Sequence, residues 1–420
     1  MVKWISLRSS EPSFGVRVPM GAPKEHFTRG KGSMKELLKK IAQIGKDNKS
    51  APHLEDVEIF KSYYTNGVLD ISNLNKRDGN CTRRELIARF LLLNAVLDQG
   101  PDMGGVRQLL SATVNRLYEQ EIRILHSPLL FFKELGIAVN EIDTIHELVK
   151  KTREVQWRKN NNTKKSYNLF MDGTTQTLAY AVFRWGVPLA VPLALQSLDK
   201  ENPQPLLDFL EKDSTEFPSS AENMSQKIKD HKKYGMGKAI GDKAAHLFAK
   251  WLVYTYRLTR KTDEKSWQQY SYEVPFDSNA GRVLFRTGFF FHYVTKEDLK
   301  KKDVIQVGTG KNGKNYLRIT NSRGLKATQN TEDIDFKKYI ELCAECLKVS
   351  TRPRSIEFQR IPAAILFQDG NYNVGQLDDG LMFIGTNYCF NHDNPKCEEC
   401  PLKNLCAGYK NKNLIKEYCT

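Results

Sequence analysis

The chain has 420 residues, 40% of them hydrophobic and 27% charged. That balance belongs to a folded globular protein and excludes a disordered or fibrous one. It holds 64 Lys and Arg against 49 Asp and Glu, a net charge of +15. Such an excess favours a polyanionic partner, most often nucleic acid, with a merely soluble basic protein as the alternative. No apolar run reaches the roughly 18 residues needed to cross a bilayer; Leu91–Leu97 and Leu189–Leu195 are only long enough for a core. The length suits two or three domains, and no internal repeat is visible. Eight cysteines without a secretory leader give the expectation of a reducing, cytoplasmic setting, nucleoid-associated in a prokaryote.

Residues 1–81 form a basic lead. A Gly/Pro/Ser-rich stretch precedes Met34–Ile44, whose apolar residues recur at helical spacing. Asp56–Tyr64 suits a short helix or strand. Thr82-Arg83-Arg84-Glu85 reads as a capping box that opens a helix through Leu86, Phe90, Leu93 and Leu97, apolar on nearly every side and so expected in the interior. Asp98-Gln99-Gly100-Pro101-Asp102 stops it, and a second helix is expected from about Gly104 to Gln120. Residues 121–234 read as mostly helical, with periodic stretches at Ile124–Leu135 and Ile142–Val149. Trp157–Tyr167 mixes basic, amide and aromatic side chains, which suits either a solvated loop or contact with a nucleic-acid backbone. Thr174–Leu195 is expected as two buried helices broken near Gly186 and Pro188.

Tyr234-Gly235-Met236-Gly237-Lys238-Ala239-Ile240-Gly241-Asp242-Lys243 then runs into an amphipathic helix ending near Leu258. Glycines let a backbone approach phosphate closely, and a helix start offers free amides. Lys243 is either a surface lysine of a first turn or an amine available for chemistry. Val274-Pro275-Phe276-Asp277-Ser278-Asn279-Ala280-Gly281-Arg282 follows, with Asp277 a natural N-cap. Asp303–Val307 and Tyr316–Thr320 flank a glycine-rich turn and read as a β-hairpin. Asp335–Val349 reads as a helix, and its Cys343 and Cys346 as ordinary buried cysteines. Finally, Cys389, Cys397, Cys400 and Cys406 fall within eighteen residues as Cys-x7-Cys-x2-Cys-x5-Cys, followed by basic Lys410, Lys412 and Lys416. Four thiolates this close can enclose a zinc ion or a [4Fe–4S] cluster. The spacing alone leaves both open.

Four of these stretches, in this order, resemble the helix-hairpin-helix DNA glycosylases of the endonuclease III branch. The cysteine run resembles that family's Cys-x6-Cys-x2-Cys-x5-Cys cluster loop with one extra residue in the first gap. Leu381–Cys389 resembles the apolar helix ending in Gly-x3-Cys that leads into it. Leu97–Met103 resembles the Ser-Ala-Gln-x-Thr-Asp turn. Val274–Gly288 is similar to Val-Asp-Thr-x-Val-x-Arg-Val-x-x-Arg-x-Gly, and its Asp-Ser-Asn-x-Gly-Arg wording to the plant DNA-demethylating members. The hairpin resembles Gly-x-Gly-x-Lys-x-Ala in two registers. One sets Gly235 and Gly237 on the family's glycines and puts Ala239 at the lysine; the other sets Gly241 on the second glycine and Lys243 at the lysine. Thirty-four positions (277 − 243) separate Lys243 from Asp277, more than the family uses, so Arg257–Glu273 would be an insertion.

The resemblance implies a mainly α, two-lobe fold with a C-terminal iron–sulfur loop and a small β-hairpin insertion. Residues 99–280 would form a helical barrel carrying the hairpin at about 234–258. Residues 82–98 with 281–406 would form the cluster lobe, with an insertion at about 290–350. Residues 1–81 would be an N-terminal extension and 407–420 a basic tail. It implies a monomer acting on double-stranded DNA that contains a damaged or modified base. Base excision would follow base flipping, with Gln99 filling the gap, Asp277 the catalytic carboxylate and Lys243 the nucleophile of an added lyase step. Gly235, Gly237, Lys238, Gly241 and Arg282 would contact DNA. Cys389, Cys397, Cys400 and Cys406 would hold the [4Fe–4S] cluster, zinc being the alternative. A non-catalytic iron–sulfur DNA-binding protein of the same fold is the rival reading.

Overall fold

The computed structural model describes residues 30–97, 103–134, 136–139, 141–154, 175–237, 240–261, 274–275, 278–287, 306–309, 315–318, 372–389 and 395–410. Trp157–Tyr167, Asp335–Val349 and the residues Gln99, Lys238 and Asp277 lie outside them.

The described residues are mainly helical. In chain order they form α1 (Gly30–Asp47), a 3-10 turn (Leu54–Asp56), α2 (Glu58–Lys61), α3 (Arg83–Leu97), α4 (Met103–Glu119), α5 (Pro128–Glu134) and α6 (Ile142–Glu154). There follow α7 (Thr175–Leu198), α8 (Pro205–Glu211), α9 (Ala221–Asp230), α10 (Asp242–Ala249), a π-helical turn (Lys250–Thr255), α11 (Ser278–Arg286), α12 (Val374–Asn387) and α13 (Ala407–Lys410). Three two-stranded antiparallel ladders complete the described residues. The third pairs Gln306–Thr309 with Asn315–Arg318 in the register Gln306↔Arg318 to Thr309↔Asn315. It is the hairpin expected from the sequence, displaced by a few residues at its ends.

The middle of the core is α3. Every residue from Arg84 to Leu97 is buried, as its lack of a polar face requires. It packs against α4, α7, α8, α10 and the π turn. Only half of the expected capping box forms. Thr82 Oγ1 accepts from Glu85 N at 3.2 Å. The Glu85 carboxylate instead accepts from Leu206 N and Leu207 N, each at 3.0 Å, and from Arg89 Nε at 2.9 Å. A buried carboxylate must satisfy its oxygens, and the first turn of α8 supplies two amides and the positive end of a helix.

The expected break near Gly186 and Pro188 is absent, and α7 runs unbroken with Pro188 and Pro192 inside it. Residues 186–195 are all buried, and α3, α5, α6 and α8 pack around the helix. That enclosure outweighs the hydrogen bonds each proline removes.

Of residues 1–81, α1 lies along α12 at very close range. A Cβ on Gly45 would stand 1.9 Å from Gln376 O, and one on Gly380 1.9 Å from Ile41 O. Leu37, Leu38, Ile41 and Ala42 are buried in this contact. The periodicity of Met34–Ile44 predicts the α1 helix but carries no indication of this partner.

Candidate functional site

The cysteine loop is built on α11 and α12. Helix α12 opens with a full capping box between Asn373 and Gln376 and closes where Cys389 N donates to Ile384 O at 2.8 Å. Lys396 N returns to Tyr388 O at 2.9 Å, and Cys400 N to Cys397 O at 3.2 Å. Ala407 N then fastens the loop to α11 through Thr287 O at 3.2 Å. Among the described residues none of the four cysteines is in a disulfide, and all four line one small cavity, together with Val283, Arg286, Ile384 and Leu402. Burial pushes the Cys400 and Cys406 thiols up to about 11. The buried Arg286 guanidinium donates to Cys389 Sγ at 3.4 Å, and Cys406 Sγ donates to Arg286 O at 3.3 Å. A cation at that point stabilises thiolate.

A donor set of sulfur alone suits a soft metal centre. Among the described residues, no three His, Cys, Asp or Glu side chains converge closely enough to hold a single ion. The four thiols that line the shared cavity match, in type, the sulfur-only donor set of a zinc site or of a [4Fe–4S] cluster.

The glycine-rich stretch joins two helices that pack on each other, α9 and α10. Ser220 caps α9, its Oγ accepting from Asn223 N at 3.1 Å. The chain then turns back. Gly235 N donates to His231 O at 2.8 Å and Met236 N to Ile228 O at 2.9 Å. A Cβ on Gly235 would lie 2.5 Å from both His231 N and Lys229 O, so this glycine is required by the turn itself. The His231 ring stacks on Tyr234, with centroids 5.5 Å apart and planes 7° from parallel. Gly237 sits beside the same carbonyl, its Cβ position 3.0 Å from Lys229 O. Gly241 differs: it is the N-cap of α10 and a Cβ there would meet nothing within 4 Å. Gly241 is exposed. Lys243 is the second residue of α10 and half-buried.

Helix α11 starts at Ser278, and Arg282 lies within it. Its Asn279 packs on Gly385 of α12, whose Cβ position would be 2.8 Å from Asn279 Cβ. The described residues thus bring the four cysteines together and join α11 to α12. The mutual geometry of Lys243 and Asp277 lies outside them.

Comparison with known proteins gives one short match. A stretch of 45 residues is 47% identical to the adenine DNA glycosylase of Buchnera aphidicola subsp. Schizaphis graminum (strain Sg). That stretch is 11% of this chain and 13% of that protein. It suggests a relationship to DNA glycosylases. No family model matches the chain, and no solved structure matches it. No helix among the described residues is long and apolar enough to cross a membrane.

Sequence reasoning missed a buried ionic cluster at the junction of these elements. Lys250 opens the π turn and is wholly buried. Its Nζ donates to Asp378 Oδ2 at 2.6 Å and to Asp379 Oδ1 at 2.5 Å. Ser50 N donates to the same Asp379 oxygen at 2.9 Å, and Trp251 Nε1 to Ser50 O at 3.0 Å. Burial opposes the charge on Lys250, but the two carboxylates outweigh it and hold the ammonium above its ordinary value. For Asp379 burial prevails, and its carboxyl sits above the usual range. The available signal was a lysine inside the apolar run Leu247–Val253 and a double aspartate inside Val374–Ile384. π turns and buried titratable clusters concentrate at functional sites.

Proposed function

We propose that the chain is a DNA N-glycosylase of the helix-hairpin-helix type, with two lobes and an iron–sulfur cluster. The observation that carries the reading is the order of the four resembling stretches: a glutamine turn, a glycine hairpin leading into α10, the Asp277 segment leading into α11, and the thiol loop built on α11 and α12. The segment shared with an adenine DNA glycosylase supports it, and so does the net charge of +15.

In this reading Gly235, Gly237, Lys238 and Gly241 carry the hairpin that meets the phosphate backbone, the N-terminal end of α10 facing the anion. Arg282 adds a further phosphate contact. Gln99 enters the stack where the target nucleotide leaves it. Asp277 as carboxylate stabilises the positive charge that grows on the sugar as the base departs. Lys243 amine attacks C1′, and the resulting imine permits strand cleavage. Cys389, Cys397, Cys400 and Cys406 would hold a [4Fe–4S] cluster, which braces the loop against DNA. Protein purified without oxygen should carry iron and acid-labile sulfide in equal amounts; stoichiometric zinc without iron would overturn that assignment.

The test of function is a duplex panel bearing damaged, mismatched and naturally modified bases, assayed for abasic sites and for borohydride trapping. Asp277→Asn should lower base release on the order of 10²–10³-fold while DNA binding persists. Lys243→Gln should abolish trapping. Should wild type release no base, and Asp277→Asn behave identically, the protein is a DNA-binding relative without chemistry.

A further inference from the structure

An open cavity of about 290 Å³ lies between residues 48–53, α4 and α12. It is separate from the thiol loop. Its volume is at the low end for small-molecule sites, which suits one planar heterocycle. Phe383 supplies an apolar wall, and Lys49, Ser50, His53, Arg107 and Asn387 supply polar groups. The cavity also adjoins the elements of the proposed chemistry. Thr386, on its rim, follows Gly385, which packs on Asn279 at the start of α11. Arg107 is one turn into α4, the helix that follows the Gln99 turn in sequence.

Arg107 is held in a defined pose. Its guanidinium lies over the Trp251 ring, 5.1 Å from the centroid, and Nη1 donates to Ser50 Oγ at 3.4 Å. Ser50 is itself fixed, its amide on Asp379 and its carbonyl on Trp251 Nε1. Lysine and arginine only donate. The nearby carboxylate, Asp379, is engaged by Lys250 and the Ser50 amide behind the lining. The charged groups of the lining, Lys49 and Arg107, are therefore donors, while Asn48 and Asn387, whose amide nitrogens are taken by Ile44 O and Phe383 O, offer oxygens that accept. Base edges differ in this respect: a carbonyl presents an acceptor where an exocyclic amine presents a donor, and arginine pairs with acceptors.

We infer that this cavity receives the extruded base and that Arg107 makes it selective for bases presenting carbonyl oxygens over those presenting amino groups. The inference rests on the glycosylase reading and names the substrate class of that site.

Two pairs of bases isolate the effect: uracil against cytosine, and hypoxanthine against adenine, each member in an otherwise identical duplex. Wild type should favour the carbonyl member in kcat/KM, and Arg107→Gln should shrink that preference about 10–100-fold. Binding of undamaged duplex should stay unchanged. Arg107→Lys, which keeps the charge and loses the fork, should fall between them and serves if the glutamine variant misfolds. A preference left intact, or an equal fall for both members of each pair, overturns the assignment. Equilibrium dialysis with free uracil and free cytosine separates this inference from the reading beneath it. If wild type excises nothing yet binds uracil through Arg107, the cavity assignment stands and the glycosylase reading falls. If it excises bases but shows no Arg107-dependent preference in either assay, the reverse holds.

Discussion

Replacing Lys250 with methionine keeps the volume of the side chain and removes its charge. At 2.6 and 2.5 Å, and at an effective dielectric of about 20, each ammonium–carboxylate contact is worth about 6 kcal/mol of Coulomb energy. Desolvation of three ions takes back most of it. The variant is left with Asp378 and Asp379 buried side by side with no cation, and breaking a buried pair in this way costs about 3–5 kcal/mol. Asp379→Asn should behave quite differently. One lysine faces two carboxylates, so removing one leaves a matched pair, and the asparagine oxygen can still accept from Ser50 N. We expect it within about 1 kcal/mol of wild type.

The pH dependence follows from the raised Asp379 carboxyl. Just above the ordinary carboxylate range the folded protein holds a proton that the unfolded chain has released. Stability therefore falls as pH rises through that window, and Asp379→Asn removes the fall. Urea midpoints for the two single variants and the double variant, measured across acidic to neutral pH, decide the matter. Lys250→Met losing less than about 1 kcal/mol, or simple additivity in the double variant, would refute the argument.

Gly380→Ala should cost about 3 kcal/mol or more, because its Cβ would overlap the Ile41 carbonyl; thermal unfolding reads it. Glu85→Gln should cost about 2–3 kcal/mol in the same assay, since the neutral amide cannot serve Arg89 and two amides of α8 together. Lys227 is buried over the Phe209 ring, its Nζ donating to Lys212 O at 2.7 Å, and burial lowers it to about 8. Below that pH the folded protein bears the cost of a desolvated charge that the unfolded chain does not. Lys227→Met should thus be more stable than wild type at pH 7 by about 1–3 kcal/mol. The gap should close as pH rises from about 8 towards the ordinary lysine value, and a gap independent of pH would refute this.

The sequence was most legible where one local pattern governs. The largely apolar α3, the hairpin at Gln306–Arg318 and the helix leading into Cys389 follow from periodicity and turn residues. It was least legible where the decisive partner is distant. Nothing around Pro188 reveals that α3, α5 and α6 will enclose α7. Nothing near Glu85 points to Leu206, 121 positions away. At the site, the four cysteines announce themselves by spacing, whereas Lys250, Asp378 and Asp379 acquire meaning only when the chain brings 250 beside 378. Arg107 was invisible for the same reason: its position depends on Trp251 and Ser50.

The glycine-to-glycine seam between α1 and α12 has a consequence for biosynthesis. Ser50 and Asp379, at one end of that seam, are 329 positions apart. At about 5–20 residues per second, the greasy stripe of Leu37, Leu38 and Ile41 leaves the ribosome on the order of 15–65 s before the helix that will cover it exists. For that interval the nascent chain offers an uncovered adhesive surface. Translation speed and holdase supply should govern the soluble yield of this protein, and the helix leading into the first cysteine of the thiol loop should dock among the last.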